Sequence, residues 1–238
     1  MGTSQSFKSG PKWSTAKRAV TQLVNAVKSG SDTTNSCSNY MRAFSNATSG
    51  NRGEGHSESG FGHAGSRIGK AFGAFLVNVQ GGSLADILNL TPDDIDQQSK
   101  YDLIDEIRKH IIGEDDATMD DDAAKVAFET VINKICEECQ DGKDVREIFE
   151  NASQDQIDGW IIRYYIEYII EFGAELFQSH IFDKDGDAVQ TCDSIRNYLE
   201  VELGDRFMDE LRNLDLSSQE GQQFLGNMIN EILGIWGH

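Results

Sequence analysis

The chain has 238 residues, a net charge of −19 and two prolines. This length suits one large domain or one domain with an appendage. The charge excludes a general nucleic-acid-binding protein, because phosphate contacts require clustered Lys and Arg, and the scarcity of proline favours an all-α protein, because helix interiors exclude proline.

The first 48 residues predict an amino-terminal arm with one or two short helices. Residues 1–13 are mostly short and polar, and we expect them to form a mobile tail. Ser14 can cap a first helix that runs to about Lys28, because apolar residues recur after it at helical spacing. A second short helix is expected from Ser38 to Ala47.

Charge is distributed unevenly along the chain. Residues 1–80 hold nine basic and three acidic side chains, a net charge of +6, which leaves −25 for the remainder. A basic head and an acidic body form two electrostatically different surfaces, although the asymmetry can also serve solubility alone.

Residues 49–66 are predicted to form a flexible linker. Ten of these eighteen residues are Gly or Ser, in the order SGNRGEGHSESGFGHAGS. Such a segment buries too little apolar surface to offset its ordering entropy. A glycine-rich phosphate loop is the alternative, but the segment follows no predicted strand and lacks the GxxxxGK[ST] pattern.

An acidic helical domain is predicted for residues 67–238, where apolar residues recur at helical spacing. Thr91 is expected to cap a helix with Pro92 at its first position. Asp120-Asp121-Asp122 is expected to place negative charge at the positive end of a helix dipole. The expected helices of this half are 67–79, 83–90, the one after Thr91, 101–112 and 120–139.

A long helix is predicted at the centre of this domain. Ser153 can cap it, with Gln156 completing a capping box, and it runs to about Ser179. Its apolar residues, Trp160 among them, cover nearly all sides, which is typical of a helix in the middle of a bundle. The run Trp160–Ile170 could instead form a strand, but its length and its cap favour a helix.

The last third of the chain continues in the same pattern. Residues 183–187 are predicted to form a turn, and helices are expected at 188–203, 205–211 and 217–236. No clear strand pattern and no repeat of fixed period appears. The sequence therefore predicts an all-α, multi-helix, bundle-like domain after a basic, partly flexible arm.

Motifs that carry chemistry are weak in this chain. Cys136 and Cys139 form a CxxC pair at the carboxyl end of a predicted helix beside two glutamates, which should raise the thiol pKa, and zinc would need two further ligands. The run Asp183–Asp187 has the wrong spacing for a calcium loop. No paired histidines and no GxSxG pattern are present. We therefore expect no catalytic activity, no cofactor and no metal site.

The amino terminus is the one unusual feature. A small residue follows the initiator in Met1-Gly2-Thr3-Ser4, so removal of Met1 should expose the α-amine of Gly2, the least hindered amine a chain offers. The start also fits MGxxx[ST], the pattern for myristoylation. A tail without a function is the simpler alternative.

Several segments together resemble the QatB family, a component of the four-gene Qat anti-phage defence system of bacteria. They are the start MGTSQSFKSGPKW, the glycine-rich break, the segment SRIGKAFGAFLVNVQGGSLADIL and the acidic helical remainder. The sharpest parts are MGTS at residues 1–4 and the segment Arg67–Leu88. The resemblance covers most of the chain as an arrangement, and it implies a role in anti-phage defence.

The resemblance also implies partners, namely an ATPase, a QueC-like enzyme and a TatD-like nuclease. QueC-like enzymes activate a carboxy-deazaguanine with ATP and join it to an amine, and the resemblance implies that Gly2 is the acceptor. Thr3 and Ser4 would then be recognised beside it. Lys8 and Lys12 can pair with acidic residues around a partner's cleft. No direct contact with nucleic acid or a membrane is expected.

The alternative is an amino-terminally acylated, membrane-associated adaptor. It would carry myristate on Gly2 and place the helix Ser14–Lys28 against anionic lipid. One acyl chain gives only marginal binding, so that a basic patch is also required. The acidic body opposes this arrangement. We also expect no secretory signal and no membrane span, since neither pattern is present, which favours a cytoplasmic protein.

Overall fold

Eleven α-helices make up the part of the chain that the structure describes. A computed structural model describes residues 11–48, 61–113, 118–176 and 188–237. The helices are α1 (Pro11–Lys28), α2 (Thr34–Thr48), α3 (His63–Gly81), α4 (Leu84–Leu88), α5 (Pro92–Gln97), α6 (Lys100–Ile112), α7 (Met119–Ile135), α8 (Gly142–Glu150), α9 (Gln154–Leu176), α10 (Ala188–Arg212) and α11 (Gln219–Trp236). These residues contain no strand apart from one isolated bridge between Ser99 and Asp141, and the predicted all-α class is confirmed.

Local capping sets several helix starts. Thr91 and Asp94 form a capping box at the start of α5, with Pro92 at the first helical position, as the sequence predicts. The Ser153 hydroxyl accepts a hydrogen bond from the N–H of Gln156, whose side chain in turn accepts one from the N–H of Ser153. Both predicted caps are therefore confirmed.

Helix α9 lies at the centre of the fold. It packs between α7 and α10, and α3 lies against it as well. Its tyrosines Tyr164, Tyr165 and Tyr168 are completely buried. The predicted central position is therefore confirmed, although Trp160 is only partly buried and rests edge-on against Phe149 at 5.7 Å between ring centroids.

A stripe of glycines lets α3 approach α9 closely. A Cβ atom on Gly65 would lie 2.3 Å from a ring carbon of Tyr168, and one on Gly69 would lie 2.5 Å from the hydroxyl oxygen of Tyr165. The hydroxyl of Tyr164 donates a hydrogen bond to the carbonyl of Gly65 at 3.0 Å. The rings of α9 thus occupy the space that side chains on α3 would fill.

The domain boundary drawn at residue 67 does not match the structure. Helix α3 begins at His63, and the ring of Phe61 is buried, stacked on Tyr168 with centroids 5.0 Å apart. Gly62, between Phe61 and His63, has a φ of 104°, a left-handed conformation that favours glycine. Residues 61–66, expected to belong to a linker, are therefore part of the folded body, because one buried aromatic ring anchors them.

The predicted arm is also joined to the body. Helices α1 and α2 pack against each other, α1 also contacts α10, and α2 contacts both α10 and α11. Leu23 of α1 and Phe44 of α2 are fully buried in the same core as the rest of the molecule. Helix α1 starts at Pro11 rather than after Ser14, because the fixed φ of proline suits the first helical position.

Two further expectations are wrong in detail. The predicted break near Gly204 is absent, because α10 runs without interruption and buries Leu203 and Phe207 on either side of that glycine. The helix expected at 120–139 ends earlier, because α7 stops at Ile135. The predicted turn at 183–187 lies outside the described residues.

Candidate functional site

The predicted site residues divide between described and undescribed parts of the chain. Gly2, Thr3, Ser4 and Lys8 lie outside the described residues. Lys12 lies in the first turn of α1 and is exposed to solvent. Of the predicted site residues, only Lys12 therefore has a described position, on the exposed first turn of α1.

Two acids at the start of α7 fasten the beginning of α3. The carboxylate of Asp120 accepts hydrogen bonds from the N–H groups of Gly62 at 3.1 Å and Ala64 at 2.6 Å, and a short one from the hydroxyl of Tyr168. Asp121 pairs with Arg67 at 2.7 Å. Both acids are buried. These acids thus hold the segment that follows residue 60, in addition to the favourable interaction with the helix dipole that the sequence predicts.

A buried carboxylate lies between two arginines on the other side of α9. Glu167 is fully buried and accepts hydrogen bonds from Nε of Arg163 at 2.7 Å and from Nε of Arg196 at 2.8 Å. Arg163 also pairs with Glu200, and Arg196 with Asp193. Each guanidinium therefore has two acidic partners, so both arginines of this cluster are already paired within the protein.

This cluster lies at the wall of a cavity of about 450 Å³, which Lys100, Tyr101 and Cys136 also line. Such a volume is sufficient for a small ligand. Lys134 at its edge pairs with Glu137, and the ammonium of Lys100 lies 5.4 Å from the centre of the Tyr101 ring. The charged side chains that line the cavity thus all have polar or aromatic partners, and the lining includes no nucleophile paired with a base.

The CxxC pair is buried. Burial raises the pKa of the Cys136 thiol to about 12 and also raises the pKa of Cys139. The upward direction agrees with the sequence prediction, but desolvation is its main cause rather than the neighbouring glutamates. Both thiols are therefore protonated at neutral pH and are poor nucleophiles and metal ligands.

The described residues offer neither a metal-binding cluster nor a membrane-spanning helix. No group of three or more His, Cys, Asp or Glu side chains in the described ranges is arranged to hold a metal ion. None of the described helices combines the length and the apolar character needed to cross a membrane.

One buried acid lacks a complete set of partners. Asp158 on α9 is fully buried; one carboxylate oxygen accepts a hydrogen bond from Gln154 at 2.8 Å, and the other has no partner among the described residues. Burial raises the pKa of Asp158. The pKa of Asp158 is thus higher in the folded than in the unfolded state. Its contribution to the stability of the fold is therefore fully present below the unfolded pKa and is lost as pH rises through the folded pKa.

We expect Asp158→Asn to raise the melting temperature at neutral pH, because the amide needs no charge in this site. The gain should shrink as pH falls toward the raised pKa of the Asp158 carboxyl, since the parent side chain then becomes neutral as well. Thermal melts of both proteins in buffers of decreasing pH measure it. Asp205→Asn, at an exposed position within α10, is the matched control, and an equal effect of the two variants at every pH would contradict the prediction.

The family to which this chain belongs is shown by a match over most of its length. Residues 61–236 match the model of a family described as Qat anti-phage system associated protein QatB, which is about three quarters of the chain. The chain belongs to the QatB family. No curated protein and no solved structure matches it.

The QatB match covers the helices α3 to α11. It begins at Phe61, the aromatic ring buried against α9, and ends at Trp236, the last residue of α11. It includes the Arg67–Leu88 segment on which the resemblance rests, whereas MGTS at residues 1–4 and the helices α1 and α2 lie outside it. As a QatB protein, the chain is a component of an anti-phage defence system.

Proposed function

We propose that this protein is the non-catalytic acceptor component of its defence complex. In this proposal a QueC-like partner joins a deazaguanine to the α-amine of Gly2, and the ATPase and the TatD-like nuclease of the system act with it in the cytoplasm. The observation that carries the proposal is membership of the QatB family combined with the exposed start of α1. Residues 1–10 precede this helix end, and in the proposal the partner enzyme binds them there.

The reaction needs an unhindered and neutral amine. The nitrogen of Gly2 attacks the activated carboxyl carbon of the deazaguanine, a C–N bond forms, the activating group leaves with its bonding electrons, and the nitrogen loses a proton. An α-amine with a pKa of about 7.7–8.0 is about a tenth or more neutral at pH 7, whereas a lysine with a pKa of about 10.4 is neutral in less than about one molecule in a thousand. This difference favours Gly2 over the nearby Lys8.

The adjacent residues suit recognition by a narrow site. Thr3 and Ser4 are small and polar, so that a cleft can admit them together with Gly2. Lys8 and Lys12 can pair with acids at the rim of such a cleft, which orients the chain even where the pairs add little affinity.

Replacement of Gly2 tests the proposal. Gly2→Leu should retain Met1, lose the modification and abolish protection of cells against phage, while the fold remains intact. Gly2→Ala is the matched control, because a small second residue still permits removal of Met1 and leaves a free amine. Plaque counts and intact masses measure both effects. Full protection by Gly2→Leu would show that the amino terminus does not carry the function.

A further inference from the structure

Helix α1 is a basic element in an acidic protein. It carries four basic side chains and no acidic one, in a chain whose net charge is −19. Asp32 is the only acid between residues 11 and 48, and its carboxylate accepts hydrogen bonds from the N–H and the hydroxyl of Thr34. The acidic side chains of α1, α2 and the loop between them therefore do not balance the positive charge of α1.

The described part of the body also provides no ion-pair partner for Lys12, Lys17, Arg18 or Arg42 of these two helices. Each arginine of the body makes at least one ion pair, and these are Arg67, Arg108, Arg146, Arg163, Arg196, Arg206 and Arg212. By contrast, Arg18 and Arg42, like Lys12 and Lys17, make no ion pair with any described residue. The fold thus uses the arginines of the body internally and leaves those of α1 and α2 available.

Packing holds α1 in one orientation. Its apolar side, which includes Val20 and Leu23, is buried in the common core. The opposite side presents Ser14, Arg18 and Gln22 to solvent. Because this exposed side has no large apolar residue, a contact formed there is electrostatic rather than hydrophobic, and it is sensitive to salt.

We propose that the α1 basic face, defined by Lys12, Lys17 and Arg18, is the docking surface for the enzyme that modifies Gly2, and that this enzyme presents a matching acidic surface. The inference rests on the proposed function. An extended chain spans at most about 3.3–3.6 Å per residue, so the amine of Gly2 stays within about 35 Å of Lys12. Docking through α1 therefore keeps the amine at a high effective concentration near the enzyme's site.

A protein surface fits this face better than a polyanion does. Nucleic acid and anionic lipid present negative charge over a wide area, and the acidic body beside α1 is repelled by such an area. A second copy of this chain carries the same net charge of −19 and is repelled in the same way. A limited acidic patch on a folded enzyme can contact α1 alone, because charge effects fall off over about 8–10 Å at physiological salt.

The test compares two triple variants with the same change in charge. The first is Lys12→Glu, Lys17→Glu and Arg18→Glu, and the control is Lys70→Glu, Lys143→Glu and Arg206→Glu at exposed positions of the body. The rate of Gly2 modification by the purified partner enzyme is followed by intact mass as a function of acceptor concentration. We expect KM of the first variant to rise about tenfold or more at low salt with kcat retained, and KM of the control to stay near that of the parent.

Three results would overturn the inference. Equal KM values for the two triple variants would remove α1 from the docking step, although modification of the parent would leave the proposed function intact. A lower kcat with an unchanged KM in the α1 triple variant would show that these residues do not act in docking. Absence of any modification of the parent would contradict the proposed function itself. A triple variant with Gln in place of Glu, together with melting temperatures, separates charge from folding.

Discussion

The double variant Gly65→Ala/Gly69→Ala should lose about 4 kcal/mol of unfolding free energy. A Cβ at Gly65 would lie 2.3 Å from the Tyr168 ring, and one at Gly69 would lie 2.5 Å from Tyr165 and 2.8 Å from Tyr164. Overpacking of this kind costs about 1–3 kcal/mol per site, and we take the upper value because the rings are fully buried and hydrogen-bonded. The better helix propensity of Ala returns up to about 1 kcal/mol per site.

Gly204→Ala is the matched control for this pair. Gly204 lies within α10, and a Cβ there meets no atom within 4 Å. The substitution should therefore stabilise the protein by up to about 1 kcal/mol, because Ala is favoured over Gly inside a helix. Urea unfolding measures all of these variants. A destabilised Gly204→Ala would indicate that α10 bends at this residue, and an unchanged double variant would contradict the close approach of α3 and α9.

Asp120→Ala should cost about 3 kcal/mol, because it leaves buried donors without an acceptor. The N–H of Ala64 and the hydroxyl of Tyr168 each lose a charged partner, and a buried unsatisfied donor costs about 1–3 kcal/mol. The N–H of Gly62 keeps the Tyr168 oxygen, at 2.7 Å, as a second acceptor. Denaturant unfolding gives the free energy, and hydrogen exchange should show faster opening at residues 62–64.

Asp122→Ala provides the comparison for that variant. Asp122 lies in the same first turn of α7 but is exposed, so its removal forfeits only the interaction with the helix dipole, about 0.3–1 kcal/mol. If both variants lost the same small amount, the Asp120 carboxylate would not fasten α3, and the anchoring of residues 61–64 would rest on Phe61 alone.

Features encoded over a few residues could be predicted from the sequence. The capping boxes at Thr91 and Ser153 each involve residues three positions apart, so local pattern is sufficient. The central position of α9 follows from apolar residues on nearly all its sides. For the same reason the all-α class could be predicted without any knowledge of which helices touch.

Features that depend on distant partners could not be predicted. Asp120 looked like an ordinary first-turn acid, because the Gly62 and Tyr168 groups that surround it lie 58 and 48 positions away. The burial of Phe61 could not be predicted, because the Gly/Ser composition around it is typical of a linker. The signal that could have indicated it is a single large aromatic residue within such a segment. Gly204 suggested a break, but the apolar residues buried on either side outweigh the cost of about 1 kcal/mol for glycine.

The candidate site is known less from geometry than from the sequence. Gly2, Thr3, Ser4 and Lys8 lie outside the described residues, and Lys12 alone has a defined place on α1. The fold adds the exposed first turn of that helix and the lack of ion pairs between Lys12, Lys17 or Arg18 and any described residue, neither of which could be read from spacing. Both observations concern access to a partner rather than chemistry performed by this chain.

The intact mass of this protein, purified from cells that also express its Qat partners, shows whether Gly2 is the acceptor. We expect loss of Met1 and one added deazaguanine acyl group, which peptide fragmentation should place on the nitrogen of Gly2 rather than on Lys8. The addition should disappear when the QueC-like enzyme is omitted or inactivated. A chain that lacks Met1 but carries no addition in a fully protective system would rule out this role of Gly2, as would an acyl chain of myristate size.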